Sequence, residues 1–366
     1  MQKYHEFFLK SSLKNQERHM KNLTYLMSNG HSFMVDDQNP FVISRIDLDH
    51  ITRVGQLVCT LFRSTMDGLK ASSPSPVSSV LFDGLSADYQ ALGIRHPQCY
   101  PVLTRIDLMV DTDGNWKIAE IDPSNKHGMG FALATRYESG AGERQKLLSL
   151  LEPHVRQNDI TTIVIGRKES FYTREQKYFA GKLQEHTGRT IDVMPEDLVE
   201  NWVNSDSLML DFPICHNPAA FKKLSRFFLG TGPGHFINPP RHMLGGKALM
   251  TLPYEHEEWL ESAGMGESEI VELRKYLPPT YLGPFIGKEV FSSGAKGVFF
   301  DAVGKKIVFQ KYIPQRRFSL GGEERFIRMA CHFVGSSLGE LTVTATKSLP
   351  VHGGNDSINY HVVVKE

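Results

Sequence analysis

Four charged residues on either side of one turn signal have the types and spacing needed to bind a metal ion and a phosphate. Arg105 and Asp107 precede the dipeptide Asp113-Gly114, and Glu120 and Asp122 follow it, within two segments of alternating polar and apolar residues. Asp-Gly between two such segments is a strong signal for a β-hairpin. If the dipeptide forms a two-residue turn, Asp107 pairs with Glu120 and Arg105 pairs with Asp122. Residues two apart share one face of a strand, so all four side chains are predicted to project from the same face.

Such a face would bind a divalent cation next to a phosphate. Two carboxylates opposed across strands destabilise a hairpin unless something compensates their charge. A divalent cation such as Mg²⁺ would compensate this charge, since it takes hard oxygen ligands, usually one or two carboxylates together with substrate phosphates. The guanidinium of Arg105 matches a phosphate or acyl-phosphate oxygen. The other face of the hairpin is expected to enter a core, since it carries Ile106, Leu108, Ala119 and Ile121. The spacing is equally compatible with a solvated face whose charges form cross-strand salt bridges.

A second group of residues, later in the chain, has the composition of a nucleotide site. Lys288 precedes a glycine-containing turn at 292–297, and small turn residues let backbone N–H groups approach phosphate oxygens. The segment Ile307–Ile313 is predicted to be a strand whose backbone and Gln310 side chain can bond a purine edge. Lys247 follows two glycines and would supply a second phosphate contact. Taken singly, each lysine is better explained as a strand-edge or surface residue.

Other common catalytic motifs are missing or incomplete in the sequence. The chain contains no G-x-x-x-x-G-K-[ST] loop, and no G-x-G-x-x-G follows the strand predicted at 160–165, which disfavours a P-loop and a dinucleotide site. His256-Glu257 lacks the second histidine of a zinc H-E-x-x-H motif. His127, in the loop after Asp122, is the histidine that we expect to touch substrate, with an ordinary loop histidine as the alternative.

The elements that must position these residues change in type along the chain. The first hundred residues are predicted to be mainly helical, with one helix over 13–27 and a second that starts at Asp47 or Asp49. The second helix carries an apolar stripe made of Ile51, Val54, Leu57, Val58, Leu61 and Phe62. From residue 101 the alternation predicts the two strands of the hairpin. A helix or a strand is expected from Arg325, followed by strands around 341–346 and 360–364.

Between residues 155 and 240 the pattern alternates between strands and helices. The predicted elements are strands at Ile160–Ile165, Thr190–Val193 and Leu208–Phe212, and helices at Arg174–His186 and Phe221–Leu229. This order favours a parallel, doubly wound α/β unit. A glycine-rich run at 230–234 and short strands between 285 and 312 then predict a boundary and a small β-rich unit. The predicted fold class is therefore mixed α/β.

Composition excludes several classes of protein. The 366 residues include 41 basic and 41 acidic side chains, which give a formal net charge of zero, and 40% are hydrophobic. A balanced chain of this length indicates two or three domains with real cores, and excludes a bulk nucleic-acid binder or a disordered chain. The four cysteines form no C-x-x-C pair, and we find no signal peptide and no membrane span. We therefore expect a cytoplasmic protein with no nucleic-acid or membrane partner.

The order of these motifs resembles that of the circularly permuted ATP-grasp ligases, of which the glutathionylspermidine synthetase-like enzymes are the best-known members. That family has R-x-D and, about a dozen residues later, E-x-N, followed by a small α/β domain, two lysines, a glycine-rich lid turn and a hinge strand. The resemblance covers residues 100–366. It implies an ATP-grasp-like, circularly permuted fold with a β-rich nucleotide lid. Asp122 departs from the pattern, because the family usually has Asn at this place.

The resemblance also implies a role for each candidate residue. Asp107, Glu120 and Asp122 would hold one or two Mg²⁺ ions, and Arg105 would steady the transferring phosphoryl group or the acyl phosphate. The residues that would contact ATP are Lys247 and Lys288 at the phosphates, Ser293, Gly294 and Gly297 in the lid turn, and Gln310, Lys311 and Ile313 at adenine.

The predicted function is an ATP-dependent carboxylate–amine ligase that forms an amide through an acyl phosphate and releases ADP and phosphate. ATP and Mg²⁺ would be its cofactors, and small-molecule or peptide carboxylates and amines its substrates. A catalytically silent nucleotide-binding module, a phosphotransferase and a plain binding or structural protein remain as alternatives. The predicted regions are a helical part at 1–100, the hairpin part of the core at 101–154, the small α/β domain at 155–240, the lid at 241–315 and closing strands at 316–366.

Overall fold

The computed structural model describes most of the chain from residue 34 onward. The described residues are 34–71, 75–82, 90–91, 94–95, 101–123, 127–139, 146–157, 159–166, 170, 172–198, 201, 205–211, 235–238, 242–245, 247–281, 286–289, 298–299, 307–351 and 357–365. Outside them lie the helices predicted at 13–27 and Phe221–Leu229 and the lid-turn residues Ser293, Gly294 and Gly297. No described helix is both long and apolar enough to cross a membrane.

Strands and helices are mixed along the described chain, which confirms the α/β class. The strands are β1 (Val35–Ser44), β2 (Leu103–Val110), β3 (Trp116–Asp122), β4 (Ile160–Ile165), β5 (Thr190–Pro195), β6 (Ser207–Asp211), β7 (His235–Asn238), β8 (Thr280–Tyr281), β9 (Ile286–Glu289), β10 (Val298–Phe299), β11 (Ile307–Gln310), β12 (Phe318–Leu320), β13 (Glu323–Val334), β14 (Ser337–Thr346) and β15 (Ile358–Lys365). The helices are α1 (Arg45–Ala71), α2 (Ser78–Leu81), α3 (Met129–Glu138), α4 (Lys146–Val155), α5 (Thr173–Thr187), α6 (His242–Gly245), α7 (Leu252–Glu255), α8 (Glu257–Ser262) and α9 (Glu267–Tyr276), with a 3₁₀ helix at Lys247–Thr251.

The largest sheet, called the central sheet below, carries the predicted hairpin at one edge. Its strand order is β1-β15-β14-β13-β2-β3, and β12 pairs with the start of β13. β1 runs parallel to β15, and the other neighbours are antiparallel. Residues 35–44 therefore form a sheet strand that the expectation of a mainly helical first hundred residues did not include. The sequence did not predict this strand because the polar run Asp36–Asn39 and Pro40 interrupt its alternation.

Helix α1 packs on the apolar face of the central sheet. The six residues of its predicted stripe are at most 2% exposed, and they share one core with Leu108 and Met329 of the sheet. The helix is capped by Ser44, whose Oγ accepts the N–H of Asp47 at 3.1 Å while Asp47 accepts the N–H of Ser44 at 3.0 Å. This reciprocal capping starts the helix before Asp47, so the predicted start at Asp47 or Asp49 is late by about a turn.

A second sheet matches the predicted α/β unit. Its order is β5-β4-β6-β7 and all its strand pairs are parallel. β4, β5 and β6 coincide with the three predicted strands within two residues at either end, and α5 coincides with the predicted helix at Arg174–His186 within one. Apolar strands that alternate with an amphipathic helix were therefore a sufficient signal for a parallel arrangement here.

A third sheet is antiparallel and lies where short strands were predicted. Its order is β10-β9-β11-β8. Lys288 is on β9, which pairs with β10 on one side and with β11 on the other. Lys288 therefore belongs to an interior strand, and its alternative interpretation as a strand-edge residue is wrong.

Candidate active site

The turn of the hairpin differs from the predicted one. Asp111 and Asn115 close a loop of three residues, within which Gly114 adopts a φ of 91° that favours glycine. The carboxylate of Asp111 accepts N–H bonds from Asp113 at 3.0 Å and from Asn115 at 2.8 Å. These bonds stabilise a loop that is one residue longer than the predicted Asp113-Gly114 turn, and the register next to the loop shifts accordingly.

A β-bulge in β3 restores the predicted register farther along the hairpin. Next to the loop Leu108 pairs with Ile118, and the next pair is Asp107 with Glu120, so the register steps over Ala119. The two predicted pairs, Asp107 with Glu120 and Arg105 with Asp122, lie beyond this bulge and are confirmed. The core position predicted for Ala119 is instead occupied by Ile118, which is fully buried.

The side chains of Arg105, Asp107, Glu120 and Asp122 project from one face of the hairpin, called the charged face below. Arg105 lies at its centre. Its Nε donates to Asp107 Oδ1 at 2.9 Å, its Nη1 donates to the carbonyl of His127 at 3.1 Å, and its Nη2 lies 3.6 Å from Asp122 Oδ2. Burial by itself would lower the pKa of Arg105, but Asp107 and Asp122 outweigh it and raise that pKa above its usual range. The guanidinium is therefore permanently charged and fixed in orientation by its partners.

A second arginine, which sequence analysis did not single out, approaches the same face from β13. Nη1 of Arg328 lies 3.3 Å from Oδ2 of Asp107, so two guanidinium groups flank this carboxylate. Ala330 pairs with Asp107 across β13 and β2, and Arg328, two positions away, projects from the same face. Burial would raise the pKa of Asp107, but Arg105 and Arg328 hold it below its usual range. The Asp107 carboxylate faces both arginines, so a metal ion bound to Asp107 would compete with them for its oxygens.

Lys247 reaches the hairpin from the 3₁₀ helix. Its Nζ lies 4.0 Å from Glu120 Oε1, and Lys247 is only 8% exposed. The same helix packs against β8 and β11 of the third sheet, so it links that sheet to the charged face. Burial and Asp107 raise the pKa of Glu120, and Lys247 opposes this only in part. Burial and the neighbouring acids therefore disfavour the charged form of Glu120, and a cation bound beside it would favour that form.

The donor set suits Mg²⁺ through two carboxylates. Within the described ranges, no three His, Cys, Asp or Glu side chains converge in a way that would hold a metal ion. Mg²⁺ often takes one or two protein carboxylates and completes its shell with phosphates and water. Glu120 and Asp122 project from the same face, and the Glu120 side chain is one third exposed. These two residues fit the hard-oxygen requirement of Mg²⁺ without a third protein ligand.

His127 is held in place by packing from the α/β unit. It is 5% exposed, and its ring stacks on Tyr172 with 3.6 Å between ring centroids. The next residue, Gly128, begins α3, and its N–H and that of Gly130 donate to Glu175 at 3.2 and 2.6 Å. The substrate contact predicted for His127 stays a prediction, but the loop that carries it is anchored beside the charged face.

The charged face continues onto β13 and β14. His332 pairs with Arg105 on one side and with Glu340 on the other, and Glu340 receives two bonds from Arg136 at 2.7 and 3.0 Å. Burial and Arg105 lower the pKa of His332 to about 3, so its ring is neutral at neutral pH. Arg328 and His332 alternate with apolar residues in the sequence, and this period of two was the available signal for them.

The residues predicted to border adenine lie at the end of β11. Gln310 is 4% exposed, and its Nε2 donates to Thr280 Oγ1 at 3.4 Å. Lys311 is exposed and its backbone N–H donates to the carbonyl of Pro279 at 2.8 Å, while Ile313 is half-buried. The structure brings these residues together at one end of the third sheet, and their contacts with a nucleotide remain a prediction.

Comparison with known proteins gives a structural likeness only. No protein-family model and no curated protein sequence matches the chain. The apo structure of a glutathione synthetase-like effector from Globodera pallida is similar, with a TM-score of 0.58 over 95% of this chain and 96% of that chain. The two sequences are 9% identical. At this identity the likeness shows that the two proteins share an overall fold.

Proposed function

We propose that the protein is an ATP-dependent carboxylate–amine ligase. The observation that carries this proposal is the face of Arg105, Asp107, Glu120 and Asp122, to which Lys247 is brought from a distant part of the chain. This face combines oxygen ligands for Mg²⁺ with cations that match phosphate oxygens. In the proposed reaction ATP phosphorylates a substrate carboxylate and ADP leaves. An amine then displaces phosphate from the acyl phosphate and forms the amide.

The roles of the charged residues follow from their partners. Glu120 and Asp122 would hold Mg²⁺, which neutralises charge on the phosphates of ATP when it is bound. Asp107 would position Arg105 and Arg328, because its carboxylate accepts a hydrogen bond from Arg105 and forms an ion pair with Arg328. Arg105 would stabilise the negative charge of the transferring phosphoryl group. Cations that are already oriented toward developing charge make a large contribution to catalysis, because no reorganisation is needed during the reaction.

The third sheet would bind the nucleotide. The proposed contacts are Lys288 at the phosphates, the lid turn with Ser293, Gly294 and Gly297 over them, and Gln310, Lys311 and Ile313 at adenine. The order of elements along the chain supports this, since it follows the permuted ATP-grasp order that the sequence resembles. The 3₁₀ helix that carries Lys247 packs against β8 and β11, which supports the proposal that a nucleotide on the third sheet lies near the charged face. The ATP-grasp fold and its circular permutation are part of the proposal.

The structural neighbour supports the fold on which this proposal is built. It is described as glutathione synthetase-like, and a synthetase of that kind is consistent with a ligase fold. Because the sequences are only 9% identical, the likeness supports the scaffold and leaves the residue roles to the geometry described above.

The proposal is tested by trapping the acyl phosphate with hydroxylamine, which replaces the unknown amine. The full chain with ATP, Mg²⁺, hydroxylamine and a pool of amino acids and short peptides should release ADP and form a hydroxamate. Glu120→Gln should abolish ADP release and keep the wild-type melting temperature, because it removes a metal ligand on a partly exposed face. Glu261→Gln, at an exposed helix position, is the matched control and should behave as wild type. Full activity of Glu120→Gln would break the assignment.

A catalytically silent module that binds ATP and Mg²⁺ is the second candidate. Two observations favour it: Asp107 is committed to two arginines, and Asp122 stands where the resembling family has Asn. This candidate predicts a thermal shift with ATP and Mg²⁺ but no ADP with any carboxylate in the pool. A thermal shift together with carboxylate-dependent ADP would eliminate it.

A further inference from the structure

A small cavity lies beside Arg105 on the charged face of the central sheet. Its lining includes Arg105, His127, Met129 and His332, and its enclosed part is about the size of one water molecule. Gly128 lies close to the same ring, since a Cβ atom there would be 3.3 Å from Cε1 of His332. The cavity is therefore next to the guanidinium that the proposed reaction uses.

His332 presents an unpaired nitrogen at this cavity. It is 3% exposed, and its Nε2 has no hydrogen-bond partner within the part of the chain that the structure describes. Buried polar atoms in folded proteins nearly always have a partner, so this nitrogen is a position where a water molecule or an oxygen of a bound group completes the hydrogen bonding. The strand register places His332 directly across from Arg105, and both residues line the cavity.

The neighbouring polar groups determine the chemistry of that bound group. Arg105 has five N–H bonds, of which those at Nε and Nη1 serve Asp107 and the carbonyl of His127. Arg328 Nε is also buried without a hydrogen-bond partner among the described residues. Asp107 is the carboxylate that both arginines share. Asp107 Oδ2 also lacks a hydrogen-bond partner among the described residues, but it lies 3.3 Å from Arg328 Nη1. Because Arg105 lines the cavity and Arg328 flanks the same carboxylate, an anionic oxygen is the group that suits the adjacent guanidinium groups best.

We propose that this cavity receives one oxygen of the substrate carboxylate, and that His332 donates its Nε2–H to that oxygen beside Arg105. The inference rests on the proposed ligase function, in which that carboxylate must lie next to Arg105 for phosphorylation. Burial and Arg105 keep the ring neutral, which leaves one ring N–H for this bond. His332 thereby selects substrates that present a carboxylate, and it leaves the second carboxylate oxygen for the phosphoryl group.

The experiment uses [¹³C]formate, the smallest carboxylate, with the full chain in the absence of ATP. Wild type should broaden the ¹³C resonance of formate in a saturable way. His332→Gln keeps an N–H donor near the position of Nε2 and should bind formate as wild type does. His332→Met has a similar volume without a donor and should bind formate about tenfold more weakly. Thr342→Val is the control, because the Thr342 hydroxyl is also buried and unpaired among the described residues but does not line the cavity.

Two results would overturn the inference. One is wild-type protein that does not broaden formate, which would mean that the cavity holds only water. The other is His332→Met with wild-type affinity. If His332→Met does not fold, wild-type protein labelled with [¹⁵N]histidine decides: formate must shift a ring resonance that is missing from His332→Gln. Because ATP is absent, failure here leaves the ADP assay of the proposed function unaffected, and failure of that assay leaves formate binding measurable.

Discussion

Replacement of Asp107 by Asn tests whether the charged face is organised around this one carboxylate. Asp107 bonds Arg105 Nε through one oxygen at 2.9 Å and faces Arg328 Nη1 with the other at 3.3 Å. Asn has nearly the same shape and keeps one acceptor oxygen, but it carries no charge. Asp107→Asn therefore leaves two guanidinium groups next to each other on a buried face without their shared anion.

The structure gives the size of the expected loss. The Asp107 side chain is 2% exposed and that of Arg105 is 15% exposed, so water relieves little of the unpaired charge. A hydrogen bond to a charged group contributes about 1.5–3 kcal/mol, and removal of one partner from a buried ion pair costs about 3–5 kcal/mol. We expect Asp107→Asn to lower the free energy of unfolding by about 3–5 kcal/mol. That is a large share of the roughly 5–15 kcal/mol typical of folded proteins.

Urea denaturation at pH 7, followed by circular dichroism, measures this loss. The matched control is Asp159→Asn, since Asp159 also bonds an arginine at 2.9 Å but its side chain is 86% exposed. Its loss should stay below about 1 kcal/mol. The double variant Asp107→Asn/Arg328→Gln should recover part of the lost stability because the charges balance again. If Asp107→Asn has a free energy of unfolding as high as that of Asp159→Asn, the charged face is not organised around the Asp107 carboxylate.

Two further predictions concern packing and pH. Gly55→Ala should lower the free energy of unfolding by about 1–3 kcal/mol, because its Cβ would lie 2.0 Å from Cε1 of Phe333, whereas Gly181→Ala, a helix position with open space, should raise it by about 0.5–1 kcal/mol. Thermal unfolding of both variants checks this, and equal behaviour would contradict the packing of α1 on the sheet. Burial and Arg105 lower the pKa of His332 from 6.5 to about 3, so the unfolded chain takes up an extra proton between these values. The contribution of neutral His332 to the free energy of unfolding is complete above pH 6.5 and should fall by about 1.4 kcal/mol per pH unit below that pH. Urea unfolding at pH 7, 6 and 5 should show this slope in wild type and a smaller slope in His332→Gln.

Local pattern was sufficient to predict one face of the hairpin but not the loop that joins its strands. Alternation assigned Asp107 and Glu120 to the same face, and the pairing confirms this. The Asp-Gly signal predicted a two-residue turn, whereas the Asp111 carboxylate stabilises a three-residue loop. The predicted pairs still hold because the bulge at Ala119 offsets the longer loop by one residue. Such a bulge depends on the burial of Ile118 and has no local sequence signal.

The groups that complete the face come from distant parts of the chain, and spacing rules cannot bring them together. Arg328 and His332 reach Asp107 and Arg105 only because β13 pairs with β2, more than two hundred residues away in sequence. Their own alternation with apolar residues predicted a strand face, but not its neighbour in the sheet. β1 is a further example, since its partner in the central sheet is β15, more than three hundred residues later in the chain.

The central claim is that ATP phosphorylates a substrate carboxylate, and transfer of oxygen from that carboxylate to phosphate tests it most directly. The full chain is incubated with ATP, Mg²⁺, hydroxylamine and a pool of amino acids and short peptides whose carboxylates carry ¹⁸O. The released phosphate is then examined by ³¹P NMR for the isotope shift of ¹⁸O. A ligase that uses an acyl phosphate must release phosphate with one ¹⁸O atom in an amount equal to ADP. ADP accompanied by unlabelled phosphate, or no ADP at all, would contradict the proposed function.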